Sequence, residues 1–445
     1  MYSYKKHVKN TITLAYPVII GQLGFIMMGV VDSLMVGEVG PAPLAAASLA
    51  NSITILIFII ALGISFAVTP LVAISVGAGK YSECGIYFRQ SLLVNMTTGI
   101  IVTLITFLAA DFIKHLDQPD EVVSYAESYT RILGLSALPM MLFQTYKQFI
   151  EGLSVMRPSM ITVLLANLVN AFTNWLLIFG NLGMPRLELD GAGWATLASR
   201  VFMAVVLLSY VMKANYFKQF DVTFHFRNIN FPVIKRILKL GFPSGIQYFF
   251  EVGAFSFAAV MVGWIGTKEL AAHQIAINLA SISFMAVLGV SVAGSIRVGN
   301  AVGRKDIAEI RRAGFTALIL GAAIMGTAGI IFIIMNDVLP TFYIEDGTVI
   351  SIASSLIIIA AFFQLSDGTQ AVGIGILRGL TDVKIPTAIT FIAYWIIGLP
   401  VGYVLGFIFH MSVQGIWIGL LIGLTASAVM LTLRFNLKSQ HPVDL

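Results

Sequence analysis

The chain is short of charge. Asp, Glu, Lys and Arg make up 11% of its 445 residues, where soluble domains carry about a quarter. With 58% hydrophobic residues and a mean hydropathy of +0.90, that shortage excludes an ordinary soluble domain and implies an integral membrane protein. A single cysteine, Cys84, excludes an internal disulfide. No glycine-rich phosphate-binding loop is present, so ATP hydrolysis by this chain is not expected. Acids are scarcer than bases, 22 against 27, giving a formal charge of +5. Such an excess can signal nucleic-acid binding, but here the basic residues cluster in short loops between apolar runs, so no nucleic-acid partner is expected.

What is present is apolar length. A spanning helix needs about 20 mainly apolar residues. Twelve segments qualify, at roughly 10–36, 46–76, 91–112, 131–151, 159–180, 191–212, 236–263, 270–296, 314–335, 349–377, 386–408 and 414–434. The first follows Lys5, Lys6 and Lys9 like a signal peptide. It is too long for one and reads as a retained helix. The longer, more polar joints are 113–130 and 213–236. With both termini on one side, the other side receives only Lys114, Arg186 and Lys268. Arg131, Lys147 and Arg200 fall within or at the ends of helices, with Lys147 near enough to an inner end to snorkel. The remaining 21 of the 27 Lys and Arg, Arg378 among them, share the side of the termini. The positive-inside rule places that side in the cytoplasm.

The sequence also repeats at a constant offset of 226 residues. Leu14 matches Leu240, Pro17 matches Pro243, Met35-Val36-Gly37 matches Met261-Val262-Gly263, and Gly40 matches Gly266. Leu44-Ala45-Ala46 matches Leu270-Ala271-Ala272, and Val76-Gly77 matches Val302-Gly303. Six segments per half make this a parallel repeat. The expected fold is therefore all-α, with two six-helix bundles at 1–222 and 223–445 flanking a central cleft. That layout belongs to alternating-access transporters. Pro17 and Pro243 each remove a backbone hydrogen bond and predict matched kinks, useful either for bending or for packing.

Most acids, Glu151 among them, are assigned to loops and helix ends. Asp32, Glu251 and Asp367 remain, in segments 1, 7 and 10. Each costs about 2.5–3.5 kcal/mol at the bilayer centre, and such residues are functional by default. The structural alternative is a buried pair with a base, and Arg200 is the one deep candidate for Asp32. Glu251 aligns with Phe25 and Asp32 with Ala258, so the acids were not duplicated with the scaffold. Polar residues accompany them at helical spacing: Gln247 with Glu251; Gln364 and Gln370 around Asp367; Gln274, Asn278 and Ser281 in segment 8; and Asn167, Asn170 and Asn174 in segment 5. Carboxylate, amide and hydroxyl oxygens suit a small hard cation or a proton. Interhelical hydrogen bonding without an ion is the alternative. Among the Phe and Met, Phe249, Phe250, Phe255, Met261 and Met285 are candidates for an adaptable apolar wall.

Topology, repeat and acids together resemble the multidrug and toxic compound extrusion (MATE) family over nearly the whole chain. The likeness is strongest to its NorM-type branch, through VDSLMVGEVG (31–40), YFFEVG (248–253) and SDGTQAVGIGILRGLTD (366–382). The resemblance puts Asp32 on the family's first-lobe acid and Asn170 and Asn174 on its first-lobe polar positions. It puts Glu251 and Asp367 on the second-lobe pair implicated in cation coupling, candidate Na⁺ ligands, with Gln274 and Asn278 nearby. Some relatives offer a tyrosine one turn before the helix-10 acid, and here that place is Phe363.

The resemblance implies a monomeric antiporter of the bacterial cytoplasmic membrane. It would export cationic amphipathic drugs against inward Na⁺ or H⁺, without a cofactor. A lipid or polysaccharide-precursor flippase of the same superfamily is the nearest rival, but its cleft should be basic. A major-facilitator carrier is disfavoured because VGAGKYSECG (76–85) lacks the Asp-and-Arg loop motif of that class. An intramembrane aspartyl protease is disfavoured because Asp32 and Asp367 lie in different halves and GLTD lacks Gly-x-Gly-Asp. His273 has no nucleophile and acid around it in sequence and reads as a helix-end residue.

Overall fold

The computed structural model describes residues 4–116, 118–223 and 229–441. Asp117, Arg227 and Asp444, assigned to loops above, lie outside the described residues. Within them the chain is helical and no strand occurs. We number the twelve segments α1 (Tyr4–Gly37), α2 (Pro41–Gly77), α3 (Tyr81–His115), α4 (Asp120–Leu135 and Ala137–Gly152), α5 (Arg157–Phe179), α6 (Glu188–Lys213), α7 (Phe231–Ile265), α8 (Thr267–Gly303), α9 (Ile307–Met335), α10 (Gly347–Gly379), α11 (Lys384–Ile408) and α12 (Ser412–Lys438).

Eleven of these are long and apolar enough to cross a membrane as single elements. The expectation of one helix at 131–151 is corrected: α4 is two 16-residue helices meeting at Ser136. The cause is local. Pro139 brings no N–H, and its ring collides with the carbonyl four residues back, that of Leu135, so one helix cannot run through. The same reasoning accounts for α2, which pauses at Phe66 and Ala67, with Pro70 four residues beyond Phe66. In α11, Pro400 follows a π-helical stretch, Ile392–Gly398. Ser136 turns its hydroxyl onto the Leu133 carbonyl at 2.6 Å and also accepts from Arg200 at 2.6 Å. A cation thus sits at the open carbonyl end of the first half of α4, where the helix dipole favours it. By contrast, helices continue through both Pro17 and Pro243.

The repeat governs the helix boundaries. α2 and α8 start at Pro41 and Thr267 and end at Gly77 and Gly303, and α3 and α9 start at Tyr81 and Ile307. Each pair is 226 residues apart. By contact the chain forms two units, Ile20–Gly245 and Met1–Ile19 with Ile246–Leu445. The two cuts, after Ile19 and after Gly245, are again 226 apart, and each falls two residues beyond a repeated proline.

Close packing explains the division. In the first unit, a Cβ on Gly63 of α2 would sit 2.2 Å from the Gly245 Cα of α7. In the second, a Cβ on Gly289 of α8 would sit 2.4 Å from the Ile19 side chain of α1. Gly63 and Gly289 are repeat equivalents, as are Ile19 and Gly245. Small residues let helices approach where burial of apolar surface gives no drive inside lipid. The start of α1 is further fixed in the second unit by Arg297 of α8. That guanidinium donates to the His7 carbonyl at 2.8 Å and the Thr11 hydroxyl at 2.6 Å, and lies 3.6 Å from Glu309.

Candidate functional site

In the unit Ile20–Gly245, α1 and α5 run close enough for the Asn167 amide to donate to the Gly24 carbonyl at 3.0 Å. One and two turns further along α5, Asn170 and Asn174 are fully buried. Asn174 donates to the Asp32 carboxylate at 2.5 Å and to Asn170 Oδ1 at 3.2 Å. Thr196 of α6 donates to the other Asp32 oxygen at 3.4 Å. The structure therefore joins Asp32, Asn170 and Asn174 in one cluster and adds Thr196, which sequence reasoning missed. Arg200 forms no ion pair with Asp32 among the described residues, although each feels the other's charge. It bonds Ser136 at the α4 break and lies 5.3 Å from the Phe58 ring.

Two inner residues of α4 are more deeply buried than the sequence showed. Glu151, assigned to a loop or helix end, is buried, and Lys147, expected to snorkel, is buried as well. The Lys147 ammonium stands 3.9 Å from Glu151 and 5.5 Å from the centre of the Phe25 ring. Both follow from α4 reaching Gly152 among packed neighbours, so that residues counted as terminal lie within the bundle.

In the unit formed with Ile246–Leu445, α7 and α10 bury Gln247, Glu251, Phe363, Gln364, Asp367 and Gln370. Glu251 and Asp367 lie within electrostatic reach of each other. Gln364 donates to the Ser283 hydroxyl of α8 at 2.7 Å. Gln370 and Tyr394 exchange hydrogen bonds, at 2.8 Å from the amide and 3.1 Å from the hydroxyl. Gln274 and Asn278 are exposed on the unit and are not drawn into this buried group. Helical spacing on α8 could not show which way that stripe turns.

Three residues belong here that the sequence did not reveal. Tyr394 lies in the π-helical stretch of α11 and feels the charge of both acids. It brings a buried phenol to the neighbourhood where Phe363, 5.9 Å from Phe255 and 5.8 Å from Trp417, has none. The adjacent Trp395 donates to the Phe250 carbonyl at 3.0 Å, fixing α7 one residue before Glu251. Such π stretches recur at functional sites, and Pro400 was the available signal. The third is Arg378. Counted above among the cations on the side of the termini, it lies half-buried at the end of α10, with its charge felt by Glu251 and Tyr248. Eleven residues separate it from Asp367, about three turns. His273 is likewise no helix-end residue, being buried and accepting the Trp417 indole N–H at 3.0 Å.

Among the described residues no three His, Cys, Asp or Glu converge as a metal cluster would require. Two carboxylates flanked by amides and a phenol form a different kind of site.

An all-helical, multi-pass chain built as a repeat, with acid clusters inside its units, is a membrane transporter by class. A model of the MatE family matches residues 17–176 and 243–404, two stretches whose starts are again 226 apart. The chain belongs to that family, which comprises transporters and not enzymes. It is 33% identical to a protein named multidrug resistance protein NorM from Vibrio vulnificus (strain CMCP6), over 98% of this chain and 96% of that protein. It is 32% identical to one named multidrug resistance protein MdtK from Yersinia pseudotuberculosis serotype O:1b (strain IP 31758), over 99% and 98%. Its fold is that of the eukaryotic MATE transporter AtDTX14, with a TM-score of 0.89 at 20% identity over 98% of each chain. A structure described as the outward-facing conformation of a multidrug resistance MATE family transporter also superposes, with a TM-score of 0.89 at 19% identity over 98% and 97%.

Proposed function

We propose that this chain is an antiporter that exports cationic amphipathic compounds by alternating access, driven by inward Na⁺ or H⁺. Its place is the bacterial cytoplasmic membrane, with both termini in the cytoplasm. Family membership and the names of its relatives support drug export, and the basic bias of one loop set supports the orientation.

One observation carries the coupling. Glu251 and Asp367, 116 residues apart in sequence, are both buried, and Asp367 feels the charge of Glu251. Two carboxylates in such surroundings repel, so the pair favours holding one positive passenger. The cation entering from outside and the drug bound from inside take the pair in mutually exclusive states. Gln370 and Tyr394 hold the flank of the site, and Arg378 moderates the charge at Glu251. Asp32 with Asn170, Asn174 and Thr196 is a second acidic site, in the other unit, for the drug or the ion. The membrane potential adds about 2.3 kcal/mol per charge per 100 mV to the inward step.

The test is dye efflux from proteoliposomes, with Na⁺ and pH gradients imposed separately. One gradient drives efflux in the wild type, and neither drives it in Asp367→Asn at equal protein level. Undiminished efflux by that variant overturns the assignment.

A further inference from the structure

Within the unit Ile20–Gly245 lies an apolar groove of about 710 Å³, bounded by α2, α3 and the first turns of α7. That volume falls in the roughly 300–1,000 Å³ range of small-molecule sites. Its wall on α3 runs from Leu93 to Ile105, a rise of about 18 Å. Half of the ~30 Å hydrocarbon core is close to that length, so the groove spans one leaflet.

The groove offers almost nothing polar. Its two threonines, Thr97 and Thr98, turn their hydroxyls back to the Leu93 and Val94 carbonyls, at 2.9 and 2.8 Å. Such a lining gives a charged or hydrogen-bonding ligand no partner, and it suits a hydrocarbon chain.

Charge lies along the α7 wall of the groove. Ile234, Leu238 and Phe242 line it from one stripe of α7, and Lys235, Arg236 and Lys239 are interleaved with that stripe. Level with them, Asn230 at the start of α7 donates its N–H to Gln90 of α3 at 3.1 Å. Arg236 donates to the Tyr87 hydroxyl at 2.9 Å and lies 5.9 Å from its ring, which holds the guanidinium beside α3. Lys235 and Lys239 are exposed. None of the three forms an ion pair among the described residues, and Asp221, the acid upstream, is bonded to Arg89 at 2.6 Å. Three cations that form no ion pair among the described residues, set along one wall of a leaflet-deep hydrocarbon groove, complement one kind of molecule.

We propose that the groove holds an acyl chain of an anionic phospholipid of the cytoplasmic leaflet, with the lipid phosphate held by Lys235, Arg236 and Lys239. The site rests on the orientation proposed above, and it is independent of the carboxylate pair. The cytoplasmic leaflet carries the negative surface charge that basic juxtamembrane residues select.

The test is lipid retention by the full chain in nanodiscs of equal phosphatidylglycerol and phosphatidylcholine, counted by native mass spectrometry. Wild type keeps the anionic lipid at least about fivefold over the zwitterionic one. The Lys235→Gln/Arg236→Gln/Lys239→Gln variant, altered at exposed or half-exposed positions, falls below about twofold. Leu238→Trp, which fills the groove, loses the bound lipid of either kind. Equal retention in the wild type, or preference intact in the triple variant, overturns the proposal. So does displacement by glycerol phosphate as effective as by lipid, which would make this a site for free phosphates. A second copy of the chain or another protein's helix cross-linked into the groove overturns it too. Dye efflux measured on the same samples reports on the carboxylate pair, so the two readings fail separately.

Discussion

Phe25 and Glu251 occupy equivalent turns of the two repeats, and their surroundings differ. Glu251 is buried within reach of a second carboxylate, Asp367, and of Arg378. Phe25 has the buried Lys147 ammonium 5.5 Å from its ring, and Lys147 in turn has Glu151 at 3.9 Å. One half carries an acid pair with a cation at its edge, and the other a cation resting on an aromatic face. The helix boundaries of α2, α3, α8 and α9 coincide at the repeat offset. The scaffold was therefore copied while these buried charges were not. A duplicated fold supplies equivalent places, and single substitutions decide which of them holds a passenger.

That contrast can be broken at several points. The largest effect is expected at the acid pair, where Glu251→Gln or Asp367→Asn should each reduce drug resistance of cells to background at unchanged protein level. A variant keeping half the wild-type resistance would remove the distinction between the halves. Next is Lys147→Met, which leaves Glu151 buried without its cation and should destabilise the protein by about 3–5 kcal/mol. Thermal unfolding in detergent reads this, and adding Glu151→Gln should restore most of the loss. No loss in the single variant would mean that the pair is not the structural element described here.

Arg378→Met should act more mildly and in the opposite direction. Without that charge Glu251 binds a cation more tightly, by up to about tenfold or 1.4 kcal/mol. The cation concentration for half-maximal efflux should fall, and a rise would refute the role given to Arg378. The smallest effect is expected outside the membrane. Asp346 caps α10 through the Thr348 and Val349 N–H groups and pairs with Lys268 at 3.0 Å. The Lys268 ammonium, with the capped N–H groups, holds its carboxyl below the usual 3.8 of aspartate. A lowered carboxyl pKa favours the folded state above that value and ceases to do so as pH falls through it. Asp346→Asn should therefore melt slightly below the wild type at neutral pH, with the gap closing as the pH drops beneath 3.8. A constant gap across that range would point to the cap alone.

Much of this was legible beforehand in particular residues. The 226-residue offset read from Pro17 and Pro243, or from Gly37 and Gly263, reappears in the starts of α2 and α8. Asp32 with Asn170 and Asn174, and Glu251 with Asp367, are indeed brought together. What the sequence did not show is orientation and depth. Gln274 and Asn278 form a helical stripe, but a stripe has no direction until its neighbours are placed. Glu151 and Arg378 do stand one residue before the ends of their helices, but hydropathy, which fades near them, could not show that Glu151 and Lys147 are buried and Arg378 half-buried. The break in α4 was available in Pro139, whose missing N–H outweighs an apolar run.

By itself the sequence determined the membrane class, the twelve segments, the repeat and the costly acids. These follow from composition and from local energies that each stretch of chain carries alone. The tertiary structure decided who meets whom: Tyr394 and Arg378 within reach of the charge on Glu251, Arg200 on Ser136, Lys147 on Phe25. Those partners lie tens to hundreds of residues apart, and their meeting depends on how far each helix is turned about its axis. Close packing of whole helices sets that turn, and no local stretch of chain encodes it.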